Sequence, residues 1–288
     1  MDRTQVFLWL TVCLVGCSSK GKLTVGSKNF TEQVVLGEIV AQHLEHRLHR
    51  PIERKLNLGG TLLAQQALHE GDIDLYPEYT GTAFTNVLKH TGGRDPAAVL
   101  KQVQAEYAER FHLRWLAPLG FNDTFAMVIR GADARARGLA SISDATRAGP
   151  WTLGVGYEFL TRPDGLANLQ STYPGLRFNG EPRSMDLGLL YQALGQKQVD
   201  LVAGNSTDGV LSARDVVVLV DDRAAFPPYQ ASLVVREKAL AENPGLEAAL
   251  NELSGAIGDS TIRRLNYEVD GKHRAVADVA AEFLAGRN

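Results

Sequence analysis

Cysteine is almost missing from this chain. The 288 residues hold two, Cys13 and Cys17, both near the N-terminus. The rest of the chain therefore offers no disulfide, no thiol nucleophile and no Cys-based zinc site. An excess of positive charge is missing as well. The 30 Lys+Arg face 33 Asp+Glu, a net charge of -3. Phosphate binding wants a basic surplus, so no nucleic-acid partner is expected. Long apolar runs are also missing. The Val6 to Val15 stretch is broken by Thr11 and is about half the roughly 20 residues that span a bilayer. No low-complexity linker and no internal repeat is visible, which excludes a solenoid. What is present, 44% hydrophobic and 22% charged residues with 28 Gly, is ordinary globular composition in a chain long enough for two domains or one large one.

Catalytic motifs fail in turn. Gly204-Asn205-Ser206-Thr207-Asp208 has Asp where a nucleophile elbow needs Gly. Gly154-Val155-Gly156-Tyr157-Glu158-Phe159 has Phe at the third glycine of a dinucleotide fingerprint. No P-loop occurs. His43, His46 and His49 spread around one helix and read as a solvated polar face. Asp72 and Asp74 read as turn and edge residues. No enzyme, cofactor or metal is expected.

The N-terminus reads as an address. Arg3 precedes the apolar run, and Leu14-Val15-Gly16-Cys17 resembles a bacterial lipobox. The resemblance implies a signal peptide over 1–16, lipidation of Cys17 and a polar tether over 17–21. Several acyl chains together give stable anchoring.

The body alternates strands and helices. Strands are expected over 22–26, 52–58, 71–76, 124–130, 152–155, 199–203, 216–220 and 233–236. A helix is expected to open within Ser27–Glu32, with Thr31 as N-cap, and to be ended by Pro51; others are expected over 61–69, 96–111, 143–149, 165–172, 186–195, 244–257, 261–269 and 276–284. Strand–helix alternation with glycine-punctuated loops predicts an α/β fold built on a parallel sheet. Ligands of such sheets bind beyond the strand C-termini. Tyr76-Pro77-Glu78-Tyr79-Thr80-Gly81-Thr82 and Phe226-Pro227-Pro228-Tyr229 follow apolar strands, and Lys28 and Arg162 lie in similar places. Together they suggest a cleft offering aromatic faces and fixed cations.

The segments VGSKNFTEQ (25–33), LGGT (58–61), GDIDLYPEYTGTA (71–83), FNDTFAMVIR (121–130), RPDG (162–165), DLGLLYQAL (186–194), STDG (206–209) and DDRAAFPPYQA (221–231) run in order over nearly the whole chain after Cys17. This set resembles the glycine betaine/choline/carnitine-binding proteins of osmoprotectant ABC importers. The resemblance implies a two-lobe periplasmic-binding-protein-like α/β fold with two crossing strands (type II) and the ligand in the interlobe cleft. Lobe one would be 22–120 plus 223–288, and lobe two 121–222. It implies a monomeric lipoprotein on the periplasmic or extracellular face, with the permease and ATPase as separate chains.

The ligand chemistry implied is specific. A quaternary ammonium has no N–H to donate, so aromatic faces suit it at about 0.5–2 kcal/mol each. Its carboxylate wants Arg or Lys plus a hydroxyl. Carried over, Lys28, Thr82 and Arg162 would hold the carboxylate. Tyr79 and Tyr229 would be cage faces, with the Asp123 carbonyl nearby, and Thr61, Tyr76 and Thr124 would stand behind them. Two positions depart from the pattern. Phe125 stands where the family usually has Tyr and keeps the face without the hydroxyl. Asn205 stands where the family usually has Tyr and loses the face. Either glycine betaine binds weakly, or Asn205 hydrogen-bonds a bulkier or more polar betaine such as carnitine or ergothioneine. Another small zwitterion, an amino acid for instance, is the alternative ligand.

Overall fold

A computed structural model describes residues 22–287. The signal peptide, Cys17 and the tether lie outside the described residues. Two five-stranded sheets organise the chain. The first contains β1 (Thr24–Gly26), β2 (Glu53–Lys55), β3 (Leu75–Tyr79), β4 (Leu113–Trp115) and, from far along the chain, β10 (Ala231–Arg236), in the order β2-β1-β3-β10-β4. The second contains β5 (Phe125–Arg130), β6 (Leu153–Val155), β7 (Arg183–Ser184), β8 (Leu201–Asn205) and β9 (Val216–Leu219), in the order β7-β6-β8-β5-β9.

The sheets are mixed, which corrects the expected parallel sheet. β1 pairs with β2 and β3 in parallel, but β10 runs antiparallel to β3 and to β4. In the second sheet β5 runs antiparallel to β8 and β9. The reason is the double crossing. The chain leaves the first sheet through 116–124, returns through 220–230, and enters each sheet against its neighbours. The two passages touch at a bridge between Asn122 and Gln230.

Helix Thr31–Leu48 buries Val35, Leu36, Ile39, Val40 and Leu44 at helical spacing against the first sheet. Its N-cap is Phe30 without a side-chain cap, while Thr31 Oγ1 donates to Asp270 Oδ1 at 2.6 Å. Thr31 is thus used for a tertiary bond and not as the expected cap. His43 is 8% exposed and lies 2.8 Å from the Ala249 carbonyl, so it is a packed histidine, not part of a solvated face. Helix Ile142–Ala148 starts at a reciprocal capping box between Ser141 and Asp144.

Several boundaries move. The expected strand over 71–76 shifts to Leu75–Tyr79, because Gly71 caps the preceding helix at φ 86 and Asp74 accepts the Thr24 N–H before the strand begins. A turn of α-helix at Thr80–Thr82 continues as a π-helical turn at Ala83–Val87, where only a loop was expected. The expected strand 199–203 becomes Leu201–Asn205, which makes Asn205 its last residue. The helix expected over 244–257 shrinks to Leu246–Asn251, and a short helix at Glu237–Glu242 precedes it. Among the described residues no helix is long and apolar enough to cross a membrane.

Candidate functional site

A cleft of about 790 Å³ lies between the sheets. Its walls carry Lys28, Tyr79, Thr82, Asp123, Phe125, Arg162, Asn205 and Tyr229, so all eight leading candidates meet in one place. The strand ends explain why. Tyr79 ends β3, Phe125 starts β5 opposite Asn205 at the end of β8, and Tyr229 lies two residues before β10. Thr61, Tyr76 and Thr124, expected behind them, do not line it. Tyr76 is buried beneath the cleft and donates to Glu78 Oε2. Thr61 sits at the start of helix Thr61–Glu70, within 3.3 Å of Lys28 Nζ. The Thr124 backbone is pinned to Ser206 Oγ at 3.1 Å.

Neither cation is bare. Lys28 Nζ donates to Glu78 Oε1 at 2.6 Å, and both side chains are buried. Arg162 meets Asp164 with two prongs, Nε to Oδ1 at 2.9 Å and Nη2 to Oδ2 at 2.6 Å, and Nη2 also reaches Thr82 Oγ1 at 3.0 Å. Asp164 Oδ2 further accepts from Tyr229 Oη at 2.7 Å and Thr85 Oγ1 at 2.8 Å. Burial alone would raise the Asp164 pKa. The Arg162 guanidinium and the two hydroxyls outweigh it and hold the carboxyl below the usual range. Each cation keeps a donor to spare. Among the described residues Arg162 Nη1 makes no hydrogen bond, and Lys28 uses its ammonium on Thr61 and Glu78 alone.

The rings pack around those cations. Phe125 meets Phe159, Phe226 and Tyr229 edge-on, with centroids 4.9, 5.4 and 5.8 Å away. Arg162 Cζ lies 5.0 Å from the Phe125 centroid, and Lys28 Nζ lies 4.9 Å from that of Tyr79. Gly81 is required for this packing. A Cβ there would meet the Pro228 carbonyl and the Tyr229 ring at 2.6 Å.

Sequence reasoning named Asp123 for its carbonyl and missed the acidic wall that its carboxyl belongs to. Glu32, Asp123 and Asp208 all line the cleft. Tyr79 Oη donates to Glu32 Oε1 at 2.7 Å, and Asn266 Nδ2 donates to Glu32 Oε2 at 3.0 Å. Asp208 Oδ2 accepts from Tyr191 Oη at 2.6 Å and from the Asn205 N–H at 2.8 Å. Burial and the neighbouring Glu32 charge push Asp123 well above the ordinary carboxylate range. Burial pushes Asp208 to about 7 and raises Glu32. Glu32 does stand in the SKNFTEQ segment and Asp208 in STDG, but Asn266 belongs to no segment that was singled out. Nothing in one sequence places residue 266 against residue 32.

The second sheet's side of the cleft is tied to the first. Glu158 Oε1 accepts the Thr61 N–H at 2.6 Å, at the positive end of helix Thr61–Glu70. Asn266 Nδ2 and Arg263 Nε, on helix Asp259–Asp270, donate to the Thr207 and Ser206 carbonyls at 3.0 and 2.9 Å. Among the described residues no His, Cys, Asp and Glu cluster could hold a metal ion.

Comparison with known proteins follows this geometry. The family described as the substrate binding domain of ABC-type glycine betaine transport system matches residues 21–286. A carnitine transport binding protein of Listeria monocytogenes serotype 1/2a (strain 10403S) is 33% identical over 287 residues, covering 98% of this chain and 92% of that one. A glycine-betaine-binding protein of Pseudomonas aeruginosa is 35% identical over 281 residues, covering 93% of this chain and 89% of that one. A crystal structure described as a glycine betaine/carnitine/choline ABC transporter superimposes with a TM-score of 0.76 at 33% identity, covering 92% of this chain and 98% of that one.

Proposed function

This chain belongs to the family of substrate-binding domains of ABC-type glycine betaine transport systems, and from that premise we propose that its own cargo is a betaine held between Arg162 and the acidic wall. The family is extracytoplasmic, serves an ABC importer and is not catalytic. The observation that carries the reading is the set of charges and rings that line one cleft. Arg162 and Lys28 keep free donors there, Glu32, Asp123 and Asp208 line the same cleft, and the Tyr79, Phe125 and Tyr229 rings stand among them. A carboxylate suits the two cations. A diffuse methylated cation suits rings and carboxylates.

The finer assignment follows. Lys28, Thr82 and Arg162 take the carboxylate; Tyr79, Phe125 and Tyr229 supply faces; Asn205 and Asp123 stand at the cation's side. Lobe one is 22–120 plus 223–288 and lobe two 121–222, which agrees with the origin of the strands in the two sheets. Lipidation at Cys17 would hold a monomer at the outer face of a membrane, beside a permease and an ATPase in separate chains.

Titration calorimetry with glycine betaine, carnitine, choline, ergothioneine and common amino acids tests the reading. Binding of a quaternary amine with no heat from amino acids is expected. Binding of amino acids alone would overturn it.

A further inference from the structure

The cleft holds two buried oxygens without partners, and both are on side chains that line it. One is Asp123 Oδ1, on a residue only 7% exposed. The other is Asn266 Oδ1, on a residue only 3% exposed. A buried polar atom left unpaired costs about 1–3 kcal/mol, so each needs an explanation.

Neither is paired by the protein as it stands. Turning the Asn266 amide over would not help. Its Nδ2 already donates to Glu32 Oε2 and to the Thr207 carbonyl, two acceptors that need a donor there. Oδ1 is therefore the oxygen, and it can only accept. The Asp123 backbone is fixed, because its N–H donates to the Tyr229 carbonyl at 3.1 Å. The hydroxyls nearby are engaged. Tyr79 gives its proton to Glu32 and Tyr191 gives its proton to Asp208. The wall is thus rich in oxygens, and these two have no partner within it.

From this we propose that the ligand itself brings the donor: the cargo is a quaternary amine that also carries a hydroxyl, and Asp123 and Asn266 are the residues that select it. The inference rests on the betaine reading above and deepens it. A trimethylammonium group has no hydrogen to donate, and an ionised carboxylate has none either. Glycine betaine, made of only those two groups, leaves both oxygens unpaired. A hydroxyl donates to Asn266 Oδ1 and can accept from or donate to Asp123, whichever protonation state that carboxyl holds. The same group would explain why Asn205 replaces a ring here, since a hydroxyl-bearing chain is bulkier and more polar than glycine betaine.

The test uses ligand pairs that differ by one hydroxyl: carnitine against γ-butyrobetaine, and choline against ethyltrimethylammonium. Calorimetry on the intact chain gives each dissociation constant. A site built to pair a hydroxyl discriminates strongly against the analogue without it, so the hydroxylated member of the better-bound pair should bind at least about tenfold tighter. In Asp123→Ala that ratio should fall to about twofold, whatever the variant does to the affinity of both members in common. Equal binding of both members to the wild type would overturn the selection while leaving the betaine reading intact. Binding of no quaternary amine would overturn both. The wild-type ratios decide the matter even where Asp123→Ala fails to fold.

Discussion

Asp164→Asn is the substitution whose cost the site defines most sharply. Asp164 is buried and accepts four hydrogen bonds, two from Arg162 and one each from Tyr229 and Thr85. The amide keeps the shape but removes the charge and points two N–H groups at donors. Breaking a buried pair by removing one partner costs about 3–5 kcal/mol, because the other charge stays buried and unmatched. At roughly 2–4 °C per kcal/mol for a chain of this order of size, the melting temperature should drop by about 10 °C. Urea unfolding should show a lower midpoint at unchanged slope. Arg162→Met in the same background removes the stranded charge, so the double variant should be more stable than Asp164→Asn alone. The pH dependence has a definite sign. The folded carboxyl titrates below its ordinary 3.8. Its contribution is therefore complete above that value and is lost as pH falls through the lower folded pKa. A loss under about 1 kcal/mol, the size of an exposed pair, would refute the reasoning. So would a double variant no better than the sum of its parts.

Asp208 works the other way. Its folded pKa of about 7 lies above the ordinary 3.8, so its contribution is complete below the ordinary value and is lost as pH rises through the folded one. Asp208→Asn should flatten the fall in stability over that window, which chemical denaturation at stepped pH would record. Gly81→Ala drives a methyl into the Tyr229 ring and the Pro228 carbonyl. It should weaken ligand binding at least about tenfold, since overpacking of this kind costs about 1–3 kcal/mol; calorimetry reads it. Asn205→Tyr restores a ring at the end of β8 and should tighten glycine betaine by about 0.5–2 kcal/mol; unchanged or weaker affinity would count against the cage placement.

Much of the site was legible because its residues sit in short segments beside strand ends. SKNFTEQ, LYPEYTGT and FPPY each place a side chain at a known point of an α/β sheet. What was not legible depends on contacts between distant segments. Glu78 and Asp164 were within quoted segments, yet only folding shows them neutralising Lys28 and Arg162. The sheet direction was misread because strand alternation does not report that β10 arrives after an excursion through the second sheet. His43 was misread because its burial comes from the Leu246–Asn251 helix, some two hundred residues on. The Leu75–Tyr79 strand came out late because Asp74 is spent on Thr24 and Arg236.

The bonds from Glu158 to Thr61 and from Arg263 to the Ser206 carbonyl join the two halves through residues that are assigned no part in holding the cargo. They favour the shut form whether or not the cleft is filled, so a ligand supplies only the remaining difference between open and shut. Two dials follow. Weakening a tie at the mouth, Glu158 for example, lowers the population of the competent form and so reduces affinity for every ligand by the same factor. A change at Asp123 or Asn205 instead reorders the ligands among themselves. Strength of capture and choice of cargo are thus set by different residues, and either can drift without the other.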